Sequence, residues 1–319
     1  MAARATRSAS RAARNAEAVA TGPLGALSHD ELGVIFDGLA DPLEPVVAVA
    51  LSSTCLGLRT PLQAALEVLK QRYAKAQLLC KKINAWTGDE DQWIPVTCTR
   101  LRDAEWMECK KEGLTADGIA TLGMILRTNG LPKLQHLLLD SYARLNSDHG
   151  HGFGDSGLQM LCQGLGRGAA PSLTTLDLTD NTLGPAGAEA LAAALGRGAM
   201  PKLESLFFGD NPIGNQGAAT LAAPLRKLPA LENLSLSLCE IGDEGVASLF
   251  ADLGKDDFKK LEQLNLEGNK ITDIGCATLV KVIDSGRLPS LKELYLGDNS
   301  ATDAALQAVD DRAKARRGS

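Results

Sequence analysis

Along the second half of the chain the apolar residues fall into one phrase written repeatedly: Leu173, Leu176, Leu178, Asn181, Leu183, Gly187. The phrase returns from Leu203, from Leu231 and from Leu261, and a last, eroded copy starts at Leu291. The starts lie 30, 28, 30 and 30 residues apart, and self-similarity at such a period marks a solenoid of stacked units. Within a phrase the two halves have different periods. Leu176 and Leu178 alternate with polar neighbours, as in a short strand buried on one side, whereas Gly187, Ala188, Leu191 and Leu195 follow the three- and four-residue spacing of a helix face. Each unit therefore reads as strand, turn, helix.

The Asn at the ninth position (Asn181, Asn211, Asn269, Asn299) can both donate to and accept from backbone groups, so stacked copies would satisfy what a tight bend leaves unpaired. Cys239 takes that place once. Going backward, Leu134, Leu137, Leu139 and Gly157 fit if nine residues are inserted before the glycine, and Met107, Cys109, Leu114 and Gly118 make a weaker first copy starting at Ala104.

These residues resemble the leucine-rich repeat of the ribonuclease-inhibitor type. The resemblance covers about two thirds of the chain. It implies an α/β leucine-rich repeat solenoid: a curved horseshoe with parallel strands on its concave face, helices on its convex face, and an α-helical N-terminal cap. Seven units are expected over 104–311, preceded by a basic tail (1–22), a helical region (23–84) and a capping linker (85–103), and followed by a basic tail (312–319). A fold of this kind says little about function by itself.

If the leucines point inward, the residues between them line the concave face. They include Trp106, Glu108, His136, Leu138, Asp140, Asp177, Phe207, Asn233, Asn265, Glu267 and Tyr295. Acids outnumber bases there, which favours a partner with a basic patch, and Trp106, Phe207 and Tyr295 are candidate anchors because interface energy concentrates in large aromatics. Asn146 to Gly154, inserted in the second unit, is expected to stand at the rim with His149, His151 and Phe153. The histidines and Asp148 or Asp155 are donor types suited to zinc or nickel, but the glycines around them fit a solvated loop.

Ahead of the repeats, Ser28 to Glu31 forms a capping box for a helix carrying Leu32, Ile35, Phe36 and Leu39. In the order of its apolar residues, 24–60 resembles an F-box, although Ser28 stands where F-boxes usually carry proline. The resemblance implies that those four residues dock a Skp1-type adaptor and make the protein the substrate receptor of a ubiquitin ligase; a simple helical cap is the alternative. A longer amphipathic stripe, Leu62, Leu66, Leu69, Tyr73, Ala76, Cys80 and Ile83, predicts one continuous helix. Trp86 and Trp93 in the linker are candidates to cover the open edge of the first strand.

Composition narrows the classes. A net charge of −6 and a pI of about 5.4 argue against general nucleic-acid binding. No run approaches the ~20 apolar residues of a membrane span. Seven cysteines without a C-x-x-C pair read as buried thiols in a cytoplasmic or nuclear protein, and the Arg-rich, acid-poor start leaves organelle import open. Nothing resembles a nucleophile elbow or a phosphate loop, so the expectation is a protein-binding scaffold that is not an enzyme and uses no cofactor. The alternative is a regulator of a small GTPase, since the repeats also resemble those of Ran GTPase-activating proteins, though no matching arginine is found.

Overall fold

The computed structural model describes residues 41–43, 45, 48–50, 63–86, 96–109, 114–140, 152–163 and 165–317. The chain divides into two compact units, 1–77 and 78–319. Of the first, the longest described stretch is most of helix α1 (Gln63–Cys80), on which Leu69 and Ala76 are buried.

The expected helix stops short of Ile83. Lys81 and Lys82 donate to the carbonyls of Leu78 and Leu79 in a tight turn, and Ile83 opens a strand, β1 (Ile83–Trp86). The linker therefore contributes structure: after β1 comes helix α2 (Cys98–Arg102), whose first turn is capped by the Thr97 hydroxyl accepting from Arg100 N. Strand β2 (Trp106–Cys109) and helix α3 (Ala116–Arg127) follow. Then β3 (His136–Leu138), α4 (Gly154–Cys162), β4 (Thr175–Asp177), α5 (Pro185–Gly196), β5 (Ser205–Phe207) and α6 (Gly214–Arg226) alternate. The order closes with β6 (Asn233–Ser235), α7 (Asp243–Phe250), β7 (Gln263–Asn265), α8 (Asp273–Asp284), β8 (Glu293–Tyr295) and α9 (Asp303–Arg317). That last helix carries Arg312, Lys314, Arg316 and Arg317, so the basic end is helical through Arg317; no Gly or Pro interrupts Asp303 to Arg317.

Among the described residues eight strands form one sheet in sequence order. Strands β2 to β8 are parallel, each joined to the next by a helical crossover, and β1 adds antiparallel to the edge of β2. Successive helices from α3 to α9 pack on one another. Paired strands sit ~4.8 Å apart and packed helices ~8–10 Å apart, so the stack bends with the sheet on its inner side. The central leucines, Leu137, Leu176, Leu206, Leu234 and Leu264, are each at most 3% exposed and form a continuous spine between sheet and helices.

Two polar ladders fix the stacking. The first is the asparagine column. Asn211 Nδ2 donates to the carbonyls of Leu178, Phe208 and Gly209, while its Oδ1 accepts from Asn181 N at 3.0 Å and Leu183 N at 2.9 Å, one unit back. Asn269 repeats this toward Cys239 and Ile241, and Asn299 toward Ile271. At Cys239 the column is half-made. The thiol donates to Phe208 O and Ser237 O but offers no amide oxygen, and Ile213 N turns instead to Asn211 O. Burial pushes the Cys239 thiol pKa up to about 12, consistent with a permanent donor.

The second ladder links helix N-termini. Asp155 Oδ1 accepts from Gly184 N and Gly187 N of the next unit; Asn215 does so from Gly242 and Gly245, and Asp243 from Thr272 and Gly275. These oxygens satisfy free amides and sit at the positive end of each helix. They also explain the glycine that ends each phrase. On the helix face that the spacing predicts, it lies in the first helical turn, where a Cβ on Gly275 would come within 2.5 Å of Asp243 Oδ1. Pro185 occupies the capping position once and leaves that rung empty.

Replacing Asn211 with Ala removes five side-chain hydrogen bonds and leaves the amides of Asn181 and Leu183 without their acceptor, which is expected to cost about 3 kcal/mol in urea unfolding. Cys239→Asn completes the column and should stabilise by about 1 kcal/mol. Equal stability of Cys239→Asn and the parent would show that the thiol already fills the place.

Candidate partner-binding face

Alternation along each strand sends the central leucine inward and its two neighbours to the open face of the sheet. Register then places these neighbours in rows. One row runs Trp106, His136, Thr175, Ser205, Asn233, Gln263, Glu293, each opposite the next. The other runs Glu108, Leu138, Asp177, Phe207, Ser235, Asn265, Tyr295 in the same manner. The residues expected on one face are thus brought together on adjoining strands, with Asp140 and Glu267 just beyond the second row.

The first row is largely occupied with itself. Trp106 and His136 stack with ring centroids 4.4 Å apart, His136 Nδ1 lies 3.0 Å from Thr175 Oγ1, and Asn233 Nδ2 donates to Ser205 Oγ. Gln263 Nε2 donates to Glu293 Oε2, which also accepts from the Tyr295 hydroxyl. Trp106 is consequently no free anchor: its indole N–H is buried with no hydrogen-bond partner among the described residues and its ring is shielded by His136, because directly opposed side chains on a sheet cover one another. Burial also lowers the His136 pKa, against the pull of Glu204 and Glu105, so the ring adds no charge near neutrality.

The second row is more open. Tyr295 is 47% exposed, and Leu138 and Phe207 are half-buried on either side of Asp177. Burial raises the Asp177 pKa, hydrogen bonds from Thr179 pull it partly back, and Asp140 raises it further. Glu108 accepts from Asn84 Nδ2 at 2.9 Å, and Asn265 Oδ1 from Glu267 N. Among the described residues no lysine or arginine forms an ion pair with Asp177, Glu267 or Glu293, whereas acids elsewhere pair between units, as Lys270 with Glu240 and Lys292 with Glu262.

One exposed residue was not anticipated. Leu238 is 51% exposed with φ 53°, at the position before the ladder residue where Asp180, Asp210, Gly268 and Asp298 also adopt left-handed φ. That conformation suits Gly and Asp and disfavours leucine. A leucine held there, next to Ser237 and just beyond the second row, adds exposed apolar surface to the rim. Comparing the phrase that starts at Leu231 with its neighbours position by position would have exposed it.

The rim insertion yields one correction. Phe153 is not at a loop tip but precedes α4, where it fills the place of Leu183, Ile213, Ile241 and Ile271; a Cβ on Gly157 would come within 2.7 Å of the Phe153 side chain. His149 and His151 lie outside the described residues, as do Leu32, Ile35, Phe36 and Leu39. Among the described residues no cluster of His, Cys, Asp or Glu is arranged to hold a metal, and no helix is long and apolar enough to cross a membrane.

A family model described as Leucine Rich repeat matches residues 169–192, 199–222, 227–250 and 259–280. The solenoid is built of leucine-rich repeats. Solved structures similar to it include leiomodin-1 actin-binding site 2, at 12% identity and a TM-score of 0.32, covering 42% of this chain and 72% of that one. Another is the crystal structure of a TLR13–ssRNA13 complex, at 17% identity and a TM-score of 0.31; the match covers 67% of this chain and about a third, 32%, of that one. No curated protein matches the chain.

The raised Asp177 pKa has a defined consequence for stability. Its carboxylate is disfavoured in the folded state, so stability falls as pH rises from the ordinary aspartate range through the folded value, and the deficit persists above it. Asp177→Asn should therefore be more stable than the parent at pH 7, the difference vanishing below the ordinary aspartate pKa. Melting curves across pH 3 to 7 check this, and a variant less stable at pH 7 would contradict it.

Proposed function

We propose that the repeats form a protein-interaction module whose open sheet face grips a basic segment of its partner. The observation that carries this reading is Asp177, set between Leu138 and Phe207 in one row, its carboxylate partly desolvated and unmatched by a cation among the described residues. A lysine or arginine from a partner would supply the missing charge, and Phe207, Leu138 and the rim leucine Leu238 would take the apolar surface beside it. The net charge of −6 favours encounter with such a partner over long range.

The reading is tested by affinity purification of the full chain from cell extract, followed by titration of the recovered partner. The variant Asp177→Lys, Glu267→Lys, Phe207→Ala should weaken that partner at least tenfold with unchanged far-UV circular dichroism. Binding of the parent should also weaken as salt rises and as pH falls through the raised Asp177 pKa. A partner held equally well by the variant contradicts the assignment of this face.

A further inference from the structure

The N-terminal edge of the sheet carries two thiols in contact. Cys80 closes α1 and Cys98 opens α2; both are buried, and their sulfurs lie 3.9 Å apart. Cys162, Cys239 and Cys276, further along the chain, sit in different repeats. Between Cys80 and Cys98 in sequence lies β1, which begins three residues after Cys80 and covers the edge of β2 with the pairs Ile83 to Cys109 and Trp86 to Trp106. A bond between the two sulfurs would close a covalent ring around this edge strand.

We propose that Cys80 and Cys98 are an oxidative modification site, forming an intramolecular disulfide that clasps β1 onto the sheet. The thiols already touch, so closing to the ~2.05 Å of a disulfide takes a movement of about 2 Å between two element ends. Hydrogen peroxide supplies the oxidising equivalents. One thiolate attacks peroxide, giving a sulfenic acid and water; the second sulfur displaces the hydroxyl as water and forms the S–S bond. Two thiols lose their hydrogens, one peroxide is reduced, and two waters leave.

The setting makes this a slow clasp instead of a rapid sensor. The hydrogen bond with Cys98, together with burial, holds the Cys80 thiol well above its ordinary pKa, so reactive thiolate is scarce at neutral pH and the rate should climb with pH. The same burial shields the finished bond from reductants. Cross-linking across 18 residues removes chain entropy from the opened state, and the effect is largest where β1 would otherwise peel from the edge.

The test uses the full chain, fully reduced, then treated with hydrogen peroxide at pH 8. Intact mass should fall by two hydrogens, a non-reducing digest should yield one peptide joining Cys80 to Cys98, and the thermal midpoint should rise by roughly 5 °C. Amide exchange of β1 should slow at least tenfold in the oxidised protein while that of β5 to β7 is unchanged. Cys98→Ser should abolish all four changes, and the comparison of reduced with oxidised parent stands even if that variant folds poorly. Oxidation that yields only sulfinic acid, a link to a different cysteine, or a Cys80–Cys98 link that leaves β1 exchange untouched overturns the proposal.

Discussion

The structure depends on a backbone bend that, among the described residues, is made at Asn181, Asn211, Cys239, Asn269 and Asn299 and whose polar groups must be paired each time. Each bend frees amides and carbonyls that water cannot reach, and an unmet buried group costs roughly 1–3 kcal/mol. Asparagine meets the need because one side chain carries both an acceptor and two donors: Asn211 satisfies groups of its own unit and the unit before it. The ladder therefore does more than close turns. It ties the vertical position of each unit to its neighbour, which fixes strand register, and with it the rows that face solvent.

The helix side is tied by different chemistry to the same end. Asp155, Asn215 and Asp243 each cap the following helix through glycine amides, so the helices advance in step with the strands. Burial alone would push the Asp243 carboxyl up, yet the bonds from Thr272 and Gly275 bring it below the usual range, the signature of a carboxylate that folding favours. Its contribution is present above the unfolded aspartate pKa and is lost as pH falls through the folded value. Asp177 on the open face has the opposite shift. Acids in the scaffold are satisfied by the fold, while this acid on the face is held at a cost that a cationic partner would relieve.

The repeat fold was legible because its information is periodic. Leucine spacing and the asparagine recur often enough for strand, helix and row to be assigned, and the row through Asp177, Phe207 and Asn265 is found in the expected register. What was not legible depends on contacts between units. The Asp155 to Gly187 cap spans 32 residues and needs the stack before it has meaning, so the spacing placed the glycine on the helix face without showing why that position is a glycine. Ile83 continued the helical stripe by spacing, and only the pairing edge of β2 reveals why it becomes a strand. Trp106 looked like an open anchor because nothing in its spacing shows that His136 lies across it.

The claim on which both scaffold and face rest is that β4 and β8 are separated by four strand spacings in a single sheet. Spin labels on Asp177→Cys and Tyr295→Cys, with the native cysteines unlabelled because they are buried or replaced, measure this separation by pulsed electron resonance. The account predicts a narrow distribution near ~20 Å. A broad distribution, or a mean beyond ~35 Å, would contradict it.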